Sequence, residues 1–283
     1  MPNPELKAQL LRLGVQPGDT VLARAALQRL GLRGSRDEFL QTLLESIGPE
    51  GTLVSLAFTP SDLLWRLDRH PPFSPEIRSY AGAFPNSMLA HPQAQRSQHP
   101  QASFVAIGPA AHEILADHGP NAPAYLPMQR LVDLKAKMLV VGCVDTSPGF
   151  TTAHWAEYQL GLHRRVMFPS WMAASRYRDA NGEVKTFLRR DPGLCSRSFW
   201  KYYGPYVKAG VLSTGAVGLT HGVLAPAAEC HAIEYGLLSQ DPAFSVCDDY
   251  ACAACNVLRW DRLHRLPGFL ASRVLQRFRR LWT

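Results

Sequence analysis

Residues 20–58 read TVLARAALQRLGLRGSRDEFLQTLLESIGPEGTLVSLAF and alternate between two hydrophobic patterns. Thr20–Ala25 and Thr52–Phe58 are short, mostly apolar runs, which is typical of buried strands. Between them, Ser35 precedes a helical stretch to Ser46, with Glu38 at capping-box spacing. A strand, a helix and a second strand within about 40 residues predict a βαβ-type unit. We therefore predict a layered α/β domain.

The segments outside this unit extend the same pattern. Further buried strands are predicted at Phe104–Ile107 and Met138–Val141, and helices at Thr151–Leu162 and Ala227–Leu238. Residues 60–100 instead form a long segment rich in proline, serine, histidine and glutamine. Because loops of this length inside a compact domain usually carry function, we expect a functional role for it.

The composition bounds the class of protein. Hydrophobic residues make up 46% of the 283 residues and charged residues 19%, so the chain can bury a core and is not disordered. The six cysteines are too few for a disulfide-stapled scaffold. The sequence contains neither an apolar run of about 18 residues nor a signal-peptide core. These features predict a cytoplasmic enzyme or binding domain.

The net charge of +7 is concentrated at the end of the chain. Residues 259–283 carry seven arginines and one acidic residue, a net +6, which leaves +1 for the other 258 residues. The body therefore lacks the basic field of a nucleic-acid-binding protein, and we predict no nucleic-acid partner.

The segment Thr151-Thr-Ala-His-Trp-Ala-Glu157 carries the clearest chemical pattern. On a helix, the i, i+3 spacing places His154 and Glu157 on one face. A carboxylate beside a histidine orients the ring and makes it a better general base. The alternative is an ordinary surface pair. His231 and Glu234 repeat the spacing, and we interpret them as a solvated pair.

Seven stretches in a fixed order resemble the aminoglycoside 3-N-acetyltransferase family over residues 6–245. They are residues 14–22 (GVQPGDTVL), 48–54 (GPEGTLV) followed by Phe58-Thr59, 80–83 (YAGA), 96–100 (RSQHP), 103–108 (SFVAIG), 139–142 (LVVG) and 151–157 (TTAHWAE). The resemblance implies a three-layer α/β/α sandwich around a mixed sheet. It also implies direct transfer from acetyl-CoA to an amine through a tetrahedral transition state.

The resemblance assigns roles to individual residues. His154 would remove the proton from the acceptor, and Glu157 would orient its ring. Further positions match the groups that line the coenzyme A groove, namely Ser97, His99 and Ser103, and the hydroxyls near the thioester, namely Thr151 and Thr152. Polar donors near the thioester oxygen would stabilise the oxyanion.

One stretch departs from the family pattern. After the first strand the family usually has a histidine and two serines before a leucine, and these groups help to hold the coenzyme A diphosphate. This chain has Arg24-Ala25-Ala26-Leu27 instead, so both hydroxyls are missing. Backbone amides and the charge of Arg24 would have to replace them.

A cluster of cysteines follows the region of resemblance. Cys247, Cys252 and Cys255 include a C-x-x-C pair and a third thiol, and such a set can chelate a structural zinc ion. Cys195, Cys230 and His231 are the candidates for a fourth ligand. The alternatives are small buried residues or a redox-sensitive pair. We accordingly divide the chain into an acetyltransferase domain, 1–245, and a cysteine-containing basic tail, 246–283.

Residues 268–283 predict a basic amphipathic helix. One face carries Leu270, Val274, Phe278, Leu281 and Trp282, with Arg273, Arg277 and Arg280 beside it. This pattern is typical of a helix at a membrane interface, here the inner face. The alternative is a helix that packs on its own domain or on a second copy in a homodimer.

The charge distribution guides the choice of acceptor. Aminoglycosides are polycations that favour acidic surfaces, whereas this body is neutral and its tail basic. We therefore predict N-acetylation of an amino sugar in glycan or polysaccharide biosynthesis, on a small-molecule or lipid-linked acceptor. The alternatives are aminoglycoside 3-N-acetylation in antibiotic resistance, O-acylation of a glycan hydroxyl, and a non-catalytic member that binds a membrane or a partner protein through its tail.

Overall fold

A computed structural model describes residues 2–32, 37–191, 193 and 195–281, with side chains in the last helix as far as Arg277. The strands are β1 (Thr20–Ala25), β2 (Thr52–Leu56), β3 (Gln95–Arg96), β4 (Phe104–Ile107), β5 (Lys137–Val141), β6 (Ala174–Arg178), β7 (Val184–Leu188), β8 (Ser213–Val217) and β9 (Thr220–Pro226). The helices are α1 (Pro4–Leu13), α2 (Glu38–Ile47), α3 (Ala83–Leu89), α4 (Ala111–Leu115), α5 (Leu126–Asp133), α6 (Thr152–Gln159), α7 (Pro169–Met172), α8 (Tyr203–Lys208), α9 (Ala227–Gln240), α10 (Ala253–Asn256) and α11 (Leu266–Leu281).

Seven strands form one mixed sheet in the order β3-β4-β2-β1-β5-β9-β8. The central strand β1 runs parallel to both β2 and β5, and the outer pairings are antiparallel. β6 and β7 form a separate hairpin, with Gly182 in its turn as the Asn-Gly sequence favours.

Alternating side chains of the central strands bury the two faces of the sheet in separate cores. Val21 and Ala23 point to the face covered by α1, α2 and α3, where Leu10, Phe39 and Phe84 are buried. Leu22 points to the opposite face, which is covered by α4, α5, α6, α8 and α9. Because successive strand residues face opposite sides, both faces need a helical layer. The predicted three-layer α/β/α sandwich around a mixed sheet is confirmed.

The predicted elements differ from the structure mainly at their ends. β1 has the predicted bounds, whereas β2 ends two residues earlier and α6 begins one residue later than predicted. The capping role of Ser35 concerns a residue outside the described ones, and α2 begins at Glu38. The long loop of residues 60–100 contains α3, whose buried Phe84 and Met88 tie it to the core.

The C-terminal segment ends in α11, as predicted for a helix there, and the side chains of Leu270 and Val274 are exposed. The side chains of Phe278 and Leu281, and all of Trp282, lie outside the described part of the chain. No helix among the described residues is long and apolar enough to cross a membrane. The membrane contact, the homodimer and the boundary at residue 246 remain predictions.

We predict that Gly108→Ala destabilises the fold more than Gly182→Ala. Both glycines have positive φ, +127° and +80°, so both alanines meet backbone strain of about 1–2 kcal/mol. A Cβ at Gly108 would also lie 2.3 Å from the carbonyl oxygen of Gly51, whereas a Cβ at Gly182 meets no atom within 4 Å. In urea unfolding, Gly108→Ala should lose at least about 2 kcal/mol more of the free energy of unfolding than Gly182→Ala. Equal losses would contradict this packing argument.

Candidate active site

A cavity of about 420 Å³ opens at the carboxyl ends of the parallel strands. In α/β sheets this edge is the usual place for ligands, because the connections there diverge. The wall is formed by residues at or just after the ends of β1 (Arg24, Ala25, Ala26, Leu27, Gln28) and β2 (Leu56, Phe58), by residues after β5 (Cys143, Ser147), and by Thr151 and His154 around the start of α6. Tyr80 to Ala83 close one side, so the long loop does border the cavity.

Three polar side chains form a row along α6, at i, i+3 and i+6. The hydroxyl-bearing Thr151 and the imidazole of His154 face the cavity. Behind them, His154 Nδ1 lies 2.8 Å from Glu157 Oε2, and the Glu157 side chain is only 3% exposed. Because an ionised carboxylate can only accept, Nδ1–H donates to it, and Nε2 is the ring nitrogen left to the cavity.

The imidazole of His154 is held between two aromatic rings. The Tyr125 ring stacks on it with centroids 4.7 Å apart, and the Phe199 ring lies 4.8 Å away on a tilted plane. Burial raises the pKa of Tyr125, so its hydroxyl stays neutral. These contacts fix the ring plane, and the sequence carries no spacing signal for either partner.

A distant segment supports Glu157. The hydroxyl of Ser245 donates to Glu157 Oε1 at 2.8 Å, so both carboxylate oxygens have partners. The carbonyl of Ser245 in turn accepts a hydrogen bond from the hydroxyl of Ser198, beside Phe199. The position of the His154–Glu157 pair therefore depends on the segments around Ser198 and Ser245. No pattern in the sequence indicates that these segments contact the pair.

Glu234 is a second buried carboxyl group near this row. It is fully buried, and its Oε1 accepts from Thr152 Oγ1 at 2.9 Å and from the hydroxyl of Tyr206. Burial raises the pKa of Glu234 well above its usual range. The interpretation of His231 and Glu234 as a solvated pair is therefore wrong, and His231 bonds Gln159 instead.

Four of the predicted binding residues do not line this cavity. Thr152 faces Glu234 and not the cavity wall. Ser97 accepts from the Phe104 amide, Ser103 donates to the Ala57 carbonyl, and the His99 ring accepts from the Ala102 amide. All four are buried and bond groups inside the protein, although His99 Nε2 has no partner among the described atoms. A motif therefore does not reveal where its side chains point.

Arg24 does reach the cavity and organises its rim. Its guanidinium donates to Ser147 Oγ at 2.9 Å and to the carbonyl of Gly149, which closes the loop after β5 onto the end of β1. Burial lowers the pKa of Arg24 from its usual value. In the described part of the chain it forms no ion pair, and no carboxylate lines the cavity.

The cysteine cluster lies apart from the cavity. Cys247, Cys252 and Cys255 come together with Cys195, and their sulfur atoms all lie within 4.8 Å of one another. Of the three candidates for a fourth ligand, the structure therefore brings in Cys195 and not Cys230 or His231.

The cavity combines a histidine with an oriented ring, a neighbouring hydroxyl and a guanidinium that forms no ion pair with any described residue. This set suits the transfer of an acyl group to an amine. A sequence model of the aminoglycoside 3-N-acetyltransferase family matches residues 22–238. The chain belongs to this family, whose members are acyltransferases.

Individual relatives agree with this assignment. Aminoglycoside N(3)-acetyltransferase IX of Micromonospora chalcea is 32% identical over 172 residues, which cover 54% of this chain and 60% of that protein. Aminoglycoside N(3)-acetyltransferase III of Enterobacter cloacae is 29% identical over 235 residues, which cover 73% of this chain and 80% of that protein.

Two solved structures share the fold. A mutant of aminoglycoside acetyltransferase AAC(3)-IVa in complex with a gentamicin superposes with a TM-score of 0.74 at 25% identity, covering 90% of this chain and 95% of that one. The binary structure of AAC-IIIb with CoASH gives a TM-score of 0.68 at 26% identity, covering 83% and 95%.

These comparisons correct the predicted acceptor. They favour the alternative, aminoglycoside 3-N-acetylation, and lend no support to a glycan precursor or to a lipid-linked acceptor. The prediction was drawn from the neutral charge of the body and the basic charge of the tail. The net charge of the body is a sum over its whole surface and does not give the local charge where the acceptor binds.

We predict that Glu234→Gln gains stability relative to the parent protein as pH rises. Above the unfolded-state pKa of about 4.3, the folded protein keeps a proton on Glu234 that the unfolded chain releases. The parent therefore loses stability with rising pH through this group, and the neutral amide does not. Urea unfolding between about pH 5 and pH 8 measures the trend. The control is Glu45→Gln, which changes an exposed carboxylate paired with Lys7. This variant should not gain stability relative to the parent as pH rises.

Proposed function

We propose that this protein transfers the acetyl group of acetyl-CoA to the 3-amino group of an aminoglycoside. The observation that carries the proposal is the hydrogen bond between Glu157 and Nδ1 of His154, whose ring lines the cavity. The family and the relatives named as aminoglycoside N(3)-acetyltransferases support the acceptor class.

The proposed mechanism follows from the charge state of an amine. An amine is protonated at neutral pH and cannot attack a thioester until it loses a proton. His154 Nε2 takes that proton, and Glu157 stabilises the imidazolium that forms. The amine nitrogen then attacks the thioester carbonyl, and the C–S bond breaks as the tetrahedral intermediate collapses. The proton that the nitrogen loses in forming the amide goes to the leaving thiolate, and the imidazolium returns its own proton to solvent. No protein nucleophile is needed. The cysteine cluster does not line the cavity, and burial raises the pKa of Cys143, which does line it, so that its thiol stays protonated.

The residues of the cavity support a donor site on the β1 side. Coenzyme A is polyanionic, and the Arg24 guanidinium supplies the cationic partner at the end of β1. The apolar wall of Leu27, Phe58 and Phe150 suits the pantetheine arm that leads towards His154. In this proposal, Arg24 replaces the two serine hydroxyls that the family usually has at this position.

Turnover with a panel of acceptors tests the proposal. The panel holds gentamicin, apramycin, glucosamine and an N-acetylated aminoglycoside that offers only hydroxyl groups. Thiol release from acetyl-CoA should occur with the free aminoglycosides, and NMR of the product should place the acetyl group on the 3-amino nitrogen. Acetylation of glucosamine or of the blocked compound, with no turnover of aminoglycosides, would contradict it. Calorimetric titration with acetyl-CoA tests the donor site separately.

We predict that His154→Ala lowers kcat by about 10²–10⁴-fold, because general-base catalysis is lost. Acetyl-CoA binding should be retained, since Arg24 and the wall of the cavity remain. Glu157→Gln should lower kcat by a smaller factor, because the ring loses its charged partner but remains between its two aromatic neighbours. His112→Ala, on the exposed side of α4, is the control. An unchanged kcat in His154→Ala would show that His154 is not the general base.

A further inference from the structure

Four of the six cysteines converge on one point outside the active-site cavity. The sulfur atoms of Cys195, Cys247, Cys252 and Cys255 all lie within 4.8 Å of one another, and those of Cys195 and Cys252 are 3.7 Å apart. All four are free thiols, buried or half-buried. Cys195 stands more than fifty residues before the other three, so folding alone brings it to them.

The spacing of the sulfur atoms matches a tetrahedral metal site. Four thiolates at about 2.3 Å from a zinc ion stand about 3.8 Å from one another. A disulfide would instead need sulfur atoms about 2.05 Å apart. We propose that Cys195, Cys247, Cys252 and Cys255 bind one structural zinc ion.

The surroundings favour this site over a group of unrelated thiols. Asn256 is fully buried, and its Nδ2 donates to the carbonyls of Asp249 and Cys252, which holds the loop between Cys247 and Cys255 in shape. Four thiolates and a zinc ion carry a net charge of −2, which needs compensation. Arg262 lies near Cys255, and its buried Nε has no partner among the described atoms.

The metal would connect the two segments that hold the catalytic pair. Cys195 immediately precedes the 3-10 helix Ser196–Tyr202, which carries Phe199 against the His154 ring. Cys247 lies two residues after Ser245, whose hydroxyl donates to Glu157. Lys201 Nζ adds a further link by donating to the carbonyl of Val246 at 2.9 Å. Zinc would therefore act as a positioning element for His154 and Glu157, a consequence that rests on the proposed function.

Metal analysis of the full-length protein tests the site itself. Protein purified without chelators from zinc-supplemented cells should contain about one zinc per chain. Exchange for Co²⁺ should give the absorption bands of a tetrahedral tetrathiolate. Cys195→Ser and Cys252→Ser should each lose the metal or change the spectrum, whereas Cys230→Ala should retain both. A zinc-free parent protein with four titratable thiols or with disulfides would overturn the proposal, as would an unchanged cobalt spectrum in Cys195→Ser.

Zinc release from the parent protein avoids the risk that a variant fails to fold. A thiol-reactive mercurial should release one zinc into a chromogenic chelator, and thiol plus added zinc should restore it. Retention of the parent circular dichroism spectrum after release would show that the fold survives. No zinc release from a protein whose thiols have all reacted would overturn the site.

Kinetics test the link to the catalytic pair. Zinc removal should lower kcat, shift the pH profile of kcat and leave the KM for acetyl-CoA nearly unchanged, with recovery when zinc is restored. Ser245→Ala should keep its zinc yet lose roughly ten- to hundredfold in kcat, the worth of one hydrogen bond to a charged group. Full activity of the zinc-free protein would overturn the link. Zinc binding by a parent protein with no acetyl transfer would instead count against the proposed function and leave the metal site intact.

Discussion

The carboxyl group of Glu157 is almost completely removed from water, and a buried polar group is stable only when its atoms find partners. One oxygen is satisfied by His154 on the same helix, and the other by Ser245, 88 residues further along the chain. α6 therefore reaches its final environment only when the segment around Ser245 is in place. The same requirement orients the imidazole towards the cavity, so burial of this carboxyl group links the fold to the chemistry.

Two carboxyl groups on neighbouring helices take different roles because their partners differ. Glu157 lies against an imidazole that can carry positive charge. Glu234, on α9, accepts hydrogen bonds from the neutral hydroxyl groups of Thr152 and Tyr206, and burial raises its pKa. A proton on Glu234 removes a like charge from the neighbourhood of Glu157. The second carboxyl group can thus hold α6 and α9 together without competing for the positive charge on His154.

The sequence predicted local features well and long-range partners poorly. The strand β1, the hairpin turn at Gly182 and the pair His154–Glu157 all follow from short-range patterns. Tyr125, Phe199 and Ser245 surround that pair from distant parts of the chain, and no spacing connects them to it. Glu234 resembled a surface residue because a helical period shows which residues share a face but not whether that face is buried.

The motif around Ser97 shows a related limit of sequence patterns. Ser97, His99 and Ser103 stand in the expected order, yet each side chain bonds a backbone group within the protein. A hydroxyl that caps a loop and a hydroxyl that binds a ligand look the same in sequence. The two cases can be distinguished only in the folded structure, where the hydrogen-bond partner of each hydroxyl is known.

Arg24 stands where the sequence of this chain departs from the family pattern. The family pattern places small hydroxyl groups after β1, where they bind by local hydrogen bonds. Here one guanidinium spans the same edge, and two of its bonds hold the loop after β5 through Ser147 and Gly149. Its positive charge remains without an ionic partner in the described part of the chain, at the wall of a cavity that has no carboxylate. Since an unpaired buried cation is costly, an anionic ligand at this edge would stabilise the arrangement, and a polyanionic acyl donor meets that need better than a polycationic acceptor.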